Sequence, residues 1–409
     1  MNILVVTADP VCPPRNAIAK RSLQLLSNLP ARHSLDYLSL EMSEVQNGQV
    51  MSSLANWGSS FYGSCRHVVR FPVERRRMDL RYGFVWYSRE FEELIARMIR
   101  ENRYDVVLGI STPIAYYLRR VRSVPVVVDL NDADEMAYRR EVVCGHNLRS
   151  RARAARNLVL FQIFRRRILA RHRHLVVVSA VDATFLSRQL KNTTVHIVPL
   201  GPEPHFLAPS TEAEIPNVVL FHGSLAAPHN RDAVQMLLRE IHPRVARALP
   251  GTELWIVGPG LDPPLADLAR SLPHVRATGY VWDVKPLLEQ AAVYACPHGT
   301  GSGMKTKMLE AWALGKATVA TRRALAGLLV ENGWNALIAE TPGEFAAAVA
   351  RLLRHPELRR TLGRNARETV LSNYSTERLT GMMEQLLEQV AGSGEAAADW
   401  NREAVLLEP

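Results

Sequence analysis

Short apolar runs alternate with longer amphipathic segments from one end of the chain to the other. That alternation marks strands and helices following each other in parallel-sheet α/β domains, where strands covered on both faces read as unbroken Val, Ile and Leu. In the first half such runs lie at 3–6, 105–108, 124–129, 175–178 and 195–198. Apolar residues recurring at spacings of three and four predict helices over 18–29, 88–101, 150–171 and 181–189. The stretch from Pro199 to Pro216 is dense in proline and polar residues and predicts a linker over 201–216. A second set of strands then begins, at 218–222, 253–257, 275–278, 292–296 and 317–320, with helices predicted over 232–249, 264–272, 284–290 and 304–314. A last long helix, 376–391, follows the second domain, and a return to the first is its expected packing. Residues 392–409 lack periodicity and read as a disordered tail.

The expected architecture is therefore α/β: two doubly wound Rossmann-like domains, 1–200 and 217–375, facing across a cleft. Ligands of open α/β sheets bind at the carboxyl ends of the strands, so the cleft is the expected site. A length of 409 residues agrees, because one hydrophobic core seldom organises so long a chain. Hydrophobic and charged fractions of 47% and 22% exclude a largely disordered protein. No run of about 18 apolar residues occurs, and Met1-Asn2 leads directly into Ile3-Leu4-Val5-Val6, so neither secretion nor a membrane span is expected. Cys12, Cys65, Cys144 and Cys296 match neither a disulfide framework nor a CxxC metal site, which fits a reducing cytoplasm. The net charge of +10 sits in the first half: residues 1–200 hold 30 Lys and Arg against 17 Asp and Glu. The two halves are thus expected to meet different partners.

The segment Pro297 to Ala311 carries the most chemistry. Gly299, Gly301 and Gly303 follow a strand and precede a helix, so backbone can approach an anion while the helix dipole favours it. Lys305 and Lys307 add positive charge, and Glu310 offers an acceptor-only carboxylate suited to a ribose diol. A Gly-rich turn with solvated lysines is the bland alternative. A P-loop is excluded because Met304 separates Gly303 from Lys305, and Gly258-Pro259-Gly260 lacks the third glycine of a dinucleotide fingerprint.

In order along the second half stand Phe221-His222-Gly223-Ser224, Pro228-His229-Asn230, Ile256-Val257-Gly258-Pro259-Gly260, Thr278-Gly279-Tyr280-Val281-Trp282-Asp283-Val284, Lys305-Thr306-Lys307-Met308-Leu309-Glu310-Ala311 and Ala326-Gly327-Leu328. This series resembles the donor domain of the family 4 glycosyltransferases of the GT-B superfamily, in the Gly-rich KxKxLEA branch, over about residues 217–385. The resemblance implies a retaining, metal-independent transfer of a hexose from a nucleoside diphosphate sugar to a hydroxyl acceptor, with the leaving phosphate assisting the acceptor. Polysaccharide, lipid-linked glycan and natural-product acceptors all stay open. No cofactor is implied beyond the nucleotide-sugar co-substrate. By the resemblance Gly223 lets backbone approach the diphosphate, Lys305 neutralises it and Glu310 holds the ribose. Ser224, Asn230, Gly258, Gly301, Ser302, Gly303, Met304 and Lys307 complete the donor side, and Tyr280 to Asp283 are expected near the base. Ser302 stands where many members carry an earlier glutamate.

The first half matches the family less sharply. Arg15 and Asn16, after the first strand, and Lys20 and Arg21, opening the first helix, are expected on the acceptor side. Many relatives carry a histidine near the Asp129-Leu130-Asn131-Asp132 segment; none stands here, so Asp132 is taken as a substitute catalytic group. Asp132-Ala133-Asp134 also reads formally as a DxD metal signature, discounted because the cradle lysines already supply positive charge. His172-Arg173-His174 reads as the polar end of a helix. Basic clusters between Arg149 and Arg173 flank Leu158 to Phe164, so this helix could rest on an anionic membrane and bring a cytoplasmic enzyme to a polyprenyl-linked acceptor. A solvated outer helix is the plainer reading. Nucleic acid is not the expected partner, since no aromatic-interleaved motif accompanies the charge. The alternative from another class is a non-catalytic binding or scaffold protein, against which Lys305 and Glu310 together argue.

Overall fold

The computed structural model describes residues 1–12, 17–42, 60–73, 82, 85, 87–144, 147–208, 212–299 and 303–392. The chain divides into two compact units, Met1–Pro199 with the C-terminal helix, and Leu200–Ser375.

The first unit is built on seven parallel strands: β1 (Asn2–Thr7), β2 (Ser34–Met42), β3 (His67–Val73), β4 (Val106–Ile110), β5 (Val126–Asn131), β6 (His174–Val177) and β7 (Thr194–Ile197). Their order is β3-β2-β1-β4-β5-β6-β7, with the direction of winding reversing between β1 and β4. Helices cover both faces, which is why β1 and β4 are almost wholly buried and apolar. Helices α1 (Ala17–Leu26), α2 (Arg89–Glu101), α3 (Thr112–Leu118), α4 (Asp134–Cys144), α5 (Leu148–Arg167) and α6 (Ala180–Gln189) belong to this unit.

Strands β2 and β3 and helices α3 and α4 were not expected from the sequence. Asp36 interrupts the apolar run of β2, yet it is buried. Burial alone would raise its pKa, but hydrogen bonds from Arg66, Tyr104 and His67 outweigh that and bring the carboxyl down to about 2. In β3, Arg70 and Pro72 break the pattern, as a strand at the sheet's edge tolerates. The segment His172-Arg173-His174 is a helix end only at His172, which caps the 3-10 turn Leu169–Arg171. His172 is buried with Nε2 2.8 Å from the Ala115 carbonyl oxygen, and His174 opens β6.

The second unit carries six parallel strands in the order β10-β9-β8-β11-β12-β13. They are β8 (Ile215–His222), β9 (Glu253–Val257), β10 (Val275–Gly279), β11 (Ala291–Cys296), β12 (Ala317–Ala320) and β13 (Leu337–Ile338). The Pro-rich stretch predicted as a linker belongs to this unit instead. It holds the short helix α7 (Pro204–Leu207) and is tied down by Arg367, which donates to the Leu207 carbonyl, and by Arg359, which pairs with Glu214 at 2.6 Å. The helix expected over 232–249 is three pieces: α8 (Pro228–Met236), a π-helical stretch (Leu237–Ile241) and α9 (His242–Ala248). Pro243, which has no N–H to donate to the preceding turn, accounts for the widening.

Helices α10 (Pro263–Ser271), α11 (Lys285–Gln290), α12 (Thr306–Ala313), α13 (Pro342–Arg354) and α14 (Pro356–Asn373) complete the second unit. The last helix, α15 (Thr376–Gly392), lies in the first unit. Its apolar positions Leu379, Met383, Leu386, Leu387 and Val390 recur at helical spacing and join the core formed by Ile3, Val5, Leu23 and Leu26. Residues 393–409, expected as a tail, lie outside the described residues.

Candidate functional site

In the second unit the winding reverses between β8 and β11, so the crevice beyond their carboxyl ends is where an open α/β sheet binds its ligand. Three turns meet there: Gly223-Ser224 after β8, Gly258-Pro259 after β9, and Pro297-His298-Gly299 after β11. Two glycines are required by the geometry. Gly223 has φ +149° and Gly258 φ +132°. A Cβ on Gly258 would overlap the Gly223 carbonyl, and one on Gly223 would come within 2.7 Å of Lys307 Nζ and 2.9 Å of Asn230 Nδ2. The Gly223 N–H donates to the Val257 carbonyl at 3.0 Å, locking the first turn onto the second.

Beneath the Gly223 turn lies a polar network. Asn230, in the first turn of α8, is buried; its Nδ2 donates to the Ser224 carbonyl at 2.7 Å. Its Oδ1 accepts from Lys307 Nζ at 2.5 Å and from His298 Nε2 at 2.9 Å. The Lys307 ammonium also sits 4.6 Å above the Phe221 ring. Burial pulls Lys307 down to about 8, although Cys296 and Glu310 oppose the shift. His298 is fully buried; burial and then Lys307 hold it near 2, so the ring is neutral and donates through Nε2. His229 packs edge-on against it at 5.2 Å and is lowered to about 4 by burial and the two lysines. On α12 the Glu310 carboxylate accepts from His222 Nε2 at 2.8 Å.

Among the donor-side residues expected from sequence, the fold brings Gly223, Asn230, Gly258, Lys307 and Glu310 into this cluster. Gly303 has φ +68°, Met304 is buried, and Lys305 is the buried N-cap residue of α12. Ser224 contributes its carbonyl, whereas Gly301 and Ser302 lie outside the described residues. Tyr280 and Trp282 are exposed at 67% and 46%, free of the core. Val281 and Val284 are partly buried. Sequence reasoning gave no role to His222, His229 and His298. Each sits beside a turn motif that was itself legible, which was the available signal.

On the first unit the expectations fare differently. Arg15 and Asn16 lie outside the described residues, and Lys20 is half-buried on α1. Arg21 is not an acceptor-side group: it is 2% exposed and makes a bidentate pair with Asp129, Nε to Oδ2 at 2.8 Å and Nη2 to Oδ1 at 3.0 Å. Its remaining donors go to the Val198 and Pro199 carbonyls, so it ties α1 to the sheet. Asp132 is half-buried just past β5. Asp134 opens α4, accepts from the Thr112 hydroxyl at 3.0 Å and is raised to about 6, chiefly by burial. Strained backbone gathers at this edge, with φ +88° at Ser111 and +73° at Asn131. The group among the described residues spaced to hold a cation is His33, Glu384 and Glu388, where Arg32 and His33 already bond Glu384.

The family model described as "Glycosyl transferases group 1" matches residues 216–355. The match runs from β8 through α13 of the second unit. The lipopolysaccharide core biosynthesis glycosyltransferase LpsE of Rhizobium meliloti is 32% identical over 150 residues, 35% of this chain and 43% of that protein. The phosphatidyl-myo-inositol mannosyltransferase of Mycolicibacterium smegmatis is 30% identical over 181 residues, 43% of this chain and 46% of that protein. The matches thus span under half the length of either curated relative. The crystal structure of Anabaena HepE in complex with UDP superposes with a TM-score of 0.61 at 14% identity, covering 95% of this chain and all of that one. At that identity the likeness is one of fold, two Rossmann-like domains of the GT-B class. No helix among the described residues is long and apolar enough to cross a membrane.

Proposed function

We propose that the chain is a retaining glycosyltransferase that moves a hexose from a nucleoside diphosphate sugar to a hydroxyl acceptor, with the donor held in the second unit. The observation that carries this reading is the single cluster of Gly223, Gly258, Asn230, Lys307 and Glu310 at the topological switch point, with the Lys305 charge near enough to act on His298 and Lys307. In this reading two glycines open the backbone to a diphosphate, two lysines supply positive charge, and Glu310 accepts from the ribose. The named relatives support the donor and acceptor classes: lipopolysaccharide core assembly, mannosyl transfer to phosphatidyl-myo-inositol, and a HepE structure holding UDP. In this reading charge growing on the leaving diphosphate meets Lys305 and the N-terminus of α12, and the departing phosphate assists the acceptor without a protein nucleophile. On the first unit Asp132 is the proposed catalytic group and Lys20 an acceptor-side one, whereas Arg21, buried against Asp129, is neither.

The direct test is release of nucleoside diphosphate from UDP-, GDP- and ADP-sugars without acceptor, with and without EDTA. Slow hydrolysis of one donor class, persisting in EDTA, is the expected result, because the lysines do the work a cation would do. Complete and reversible loss in EDTA overturns the metal-independent mechanism. No hydrolysis and no thermal shift with any donor would leave a non-catalytic scaffold as the better reading.

Lys307 adds a pH dependence. Its ammonium titrates near 8 in the free protein, and a diphosphate at the Gly223 turn favours the charged form and raises that value. Below pH 8 the lysine is charged in both states and affinity is flat. Above pH 8 binding must take up a proton, so affinity falls by up to about tenfold per pH unit until the bound-state value is reached. Calorimetric titration with the best-binding of UDP, GDP and ADP, in buffers of different ionisation enthalpy, reads that proton. A flat affinity from pH 7 to pH 9.5 would remove Lys307 from the donor site.

The basic helix is α5, and its surface supports membrane contact near the acceptor's lipid. Arg149, Arg151, Arg153, Arg156, Arg166 and Arg167 are exposed, beside Leu148 at 85% and Val159 at 56%. Arg165 is excluded from that surface, because it is buried and pairs with Glu135 at 2.7 Å. Replacing Arg166 and Arg167 by Gln removes two charges of about 1 kcal/mol each, so binding to phosphatidylglycerol vesicles is expected to weaken roughly thirtyfold. Unchanged vesicle binding would return the cluster to a solvated face.

A further inference from the structure

We infer that His222 is a positioning residue for the ribose of the bound nucleotide, acting through the Glu310 carboxylate; this rests on the proposal that Glu310 accepts from the ribose hydroxyls. His222 is the last residue of β8 and stands directly before the Gly223 turn. Its Nε2 lies 2.8 Å from Glu310 Oε2, with side-chain exposures of 8% for the histidine and 14% for the glutamate. A carboxylate only accepts, so Nε2 carries the hydrogen. Nδ1 has no partner among the described residues, and the Tyr294 ring packs against the imidazole at 5.4 Å. Among the described side chains the ring's one polar anchor is therefore Glu310.

A free glutamate side chain samples many rotamers, and ordering it on binding costs affinity. The bond from His222 fixes one oxygen before the nucleotide arrives and sets the plane in which the carboxylate can meet a diol. It also joins the end of β8 to α12, whose Lys307 lies against the Gly223 turn. Glu310 and His222 are 88 residues apart in sequence, so the pair exists only in the folded second unit. A purely structural ion pair would have the same geometry but would not distinguish a ribose from a deoxyribose.

The test compares a nucleoside diphosphate with its 2′,3′-dideoxy form, using the base that binds best among UDP, GDP and ADP, by calorimetric titration. His222→Phe is expected to weaken the ribonucleotide about tenfold, the scale of one hydrogen bond to a charged group, and the dideoxy form by less than twofold. His222→Gln places an amide N–H near the lost Nε2–H and is expected to stay within threefold of the parent. His222→Phe with Glu310→Gln should bind no more weakly than Glu310→Gln alone. Equal loss for both nucleotides, or loss for neither, overturns the inference. So does a His222→Gln protein that melts like the parent yet binds as poorly as His222→Phe. If Glu310→Gln itself fails to weaken the ribonucleotide selectively, the donor-site reading falls. If it succeeds where His222→Phe fails, only the role of His222 falls.

Discussion

Gly258→Ala is expected to destabilise the second unit by about 3–5 kcal/mol, the sum of strain at a left-handed backbone position and overpacking against atoms that cannot rotate away. The new Cβ would meet the Gly223 carbonyl, which is backbone and is held by the Gly223 N–H bond to Val257. Relief requires the Gly223 turn to move, and with it the Asn230 and Lys307 network beneath. Gly251→Ala is the control: it has φ +83° but nothing within 4 Å of its Cβ, so it carries the strain without the collision. About 1 kcal/mol is expected there. Urea titration of both variants reads the difference, and calorimetry shows whether residual folded Gly258→Ala still binds a nucleoside diphosphate. Equal stability of the two variants would mean that the β8 and β9 turns are not packed as described.

These two turns were legible in the sequence because a glycine at a strand's end states a backbone requirement locally. The same holds for β1, β4, β8, β9, β11 and β12, whose unbroken apolar runs follow from burial on both faces. What escaped were elements whose pattern is rewritten by tertiary pairing. Asp36 breaks the apolar run of β2, and Arg66, Tyr104 and His67, all at least 30 residues away in sequence, satisfy it. Arg21 was expected on the acceptor side from its place at the start of the first helix; its partner Asp129, 108 residues away, holds it buried instead. The histidines of the site were hidden in the same way, His298 meeting Asn230 across 68 residues. The charges of the cluster were therefore readable, whereas the bonds that orient them were not.

That division sets the sharpest expectation, which separates Lys305 from Glu310. Lys305 stands at the N-cap position of α12, where in the proposed mechanism charge builds on the departing diphosphate; Glu310 lies further along the same helix, bonded to His222, and by the same proposal meets the ribose. Stabilisation that strengthens in the transition state appears in the rate, so Lys305→Ala should lower turnover more than donor affinity. Losing one charge-assisted contact removes about 1.5–3 kcal/mol, a rate loss of roughly tenfold to a hundredfold or more. Glu310→Gln keeps an acceptor for His222 but loses the charge, and as a contact remote from the breaking bond it should weaken donor binding with turnover largely kept. Steady-state kinetics of donor hydrolysis, paired with calorimetric titration of the nucleoside diphosphate, resolves the two effects. Should both variants bind and turn over like the parent, the diphosphate is held elsewhere, and the cluster around Gly223 is only a well-packed turn.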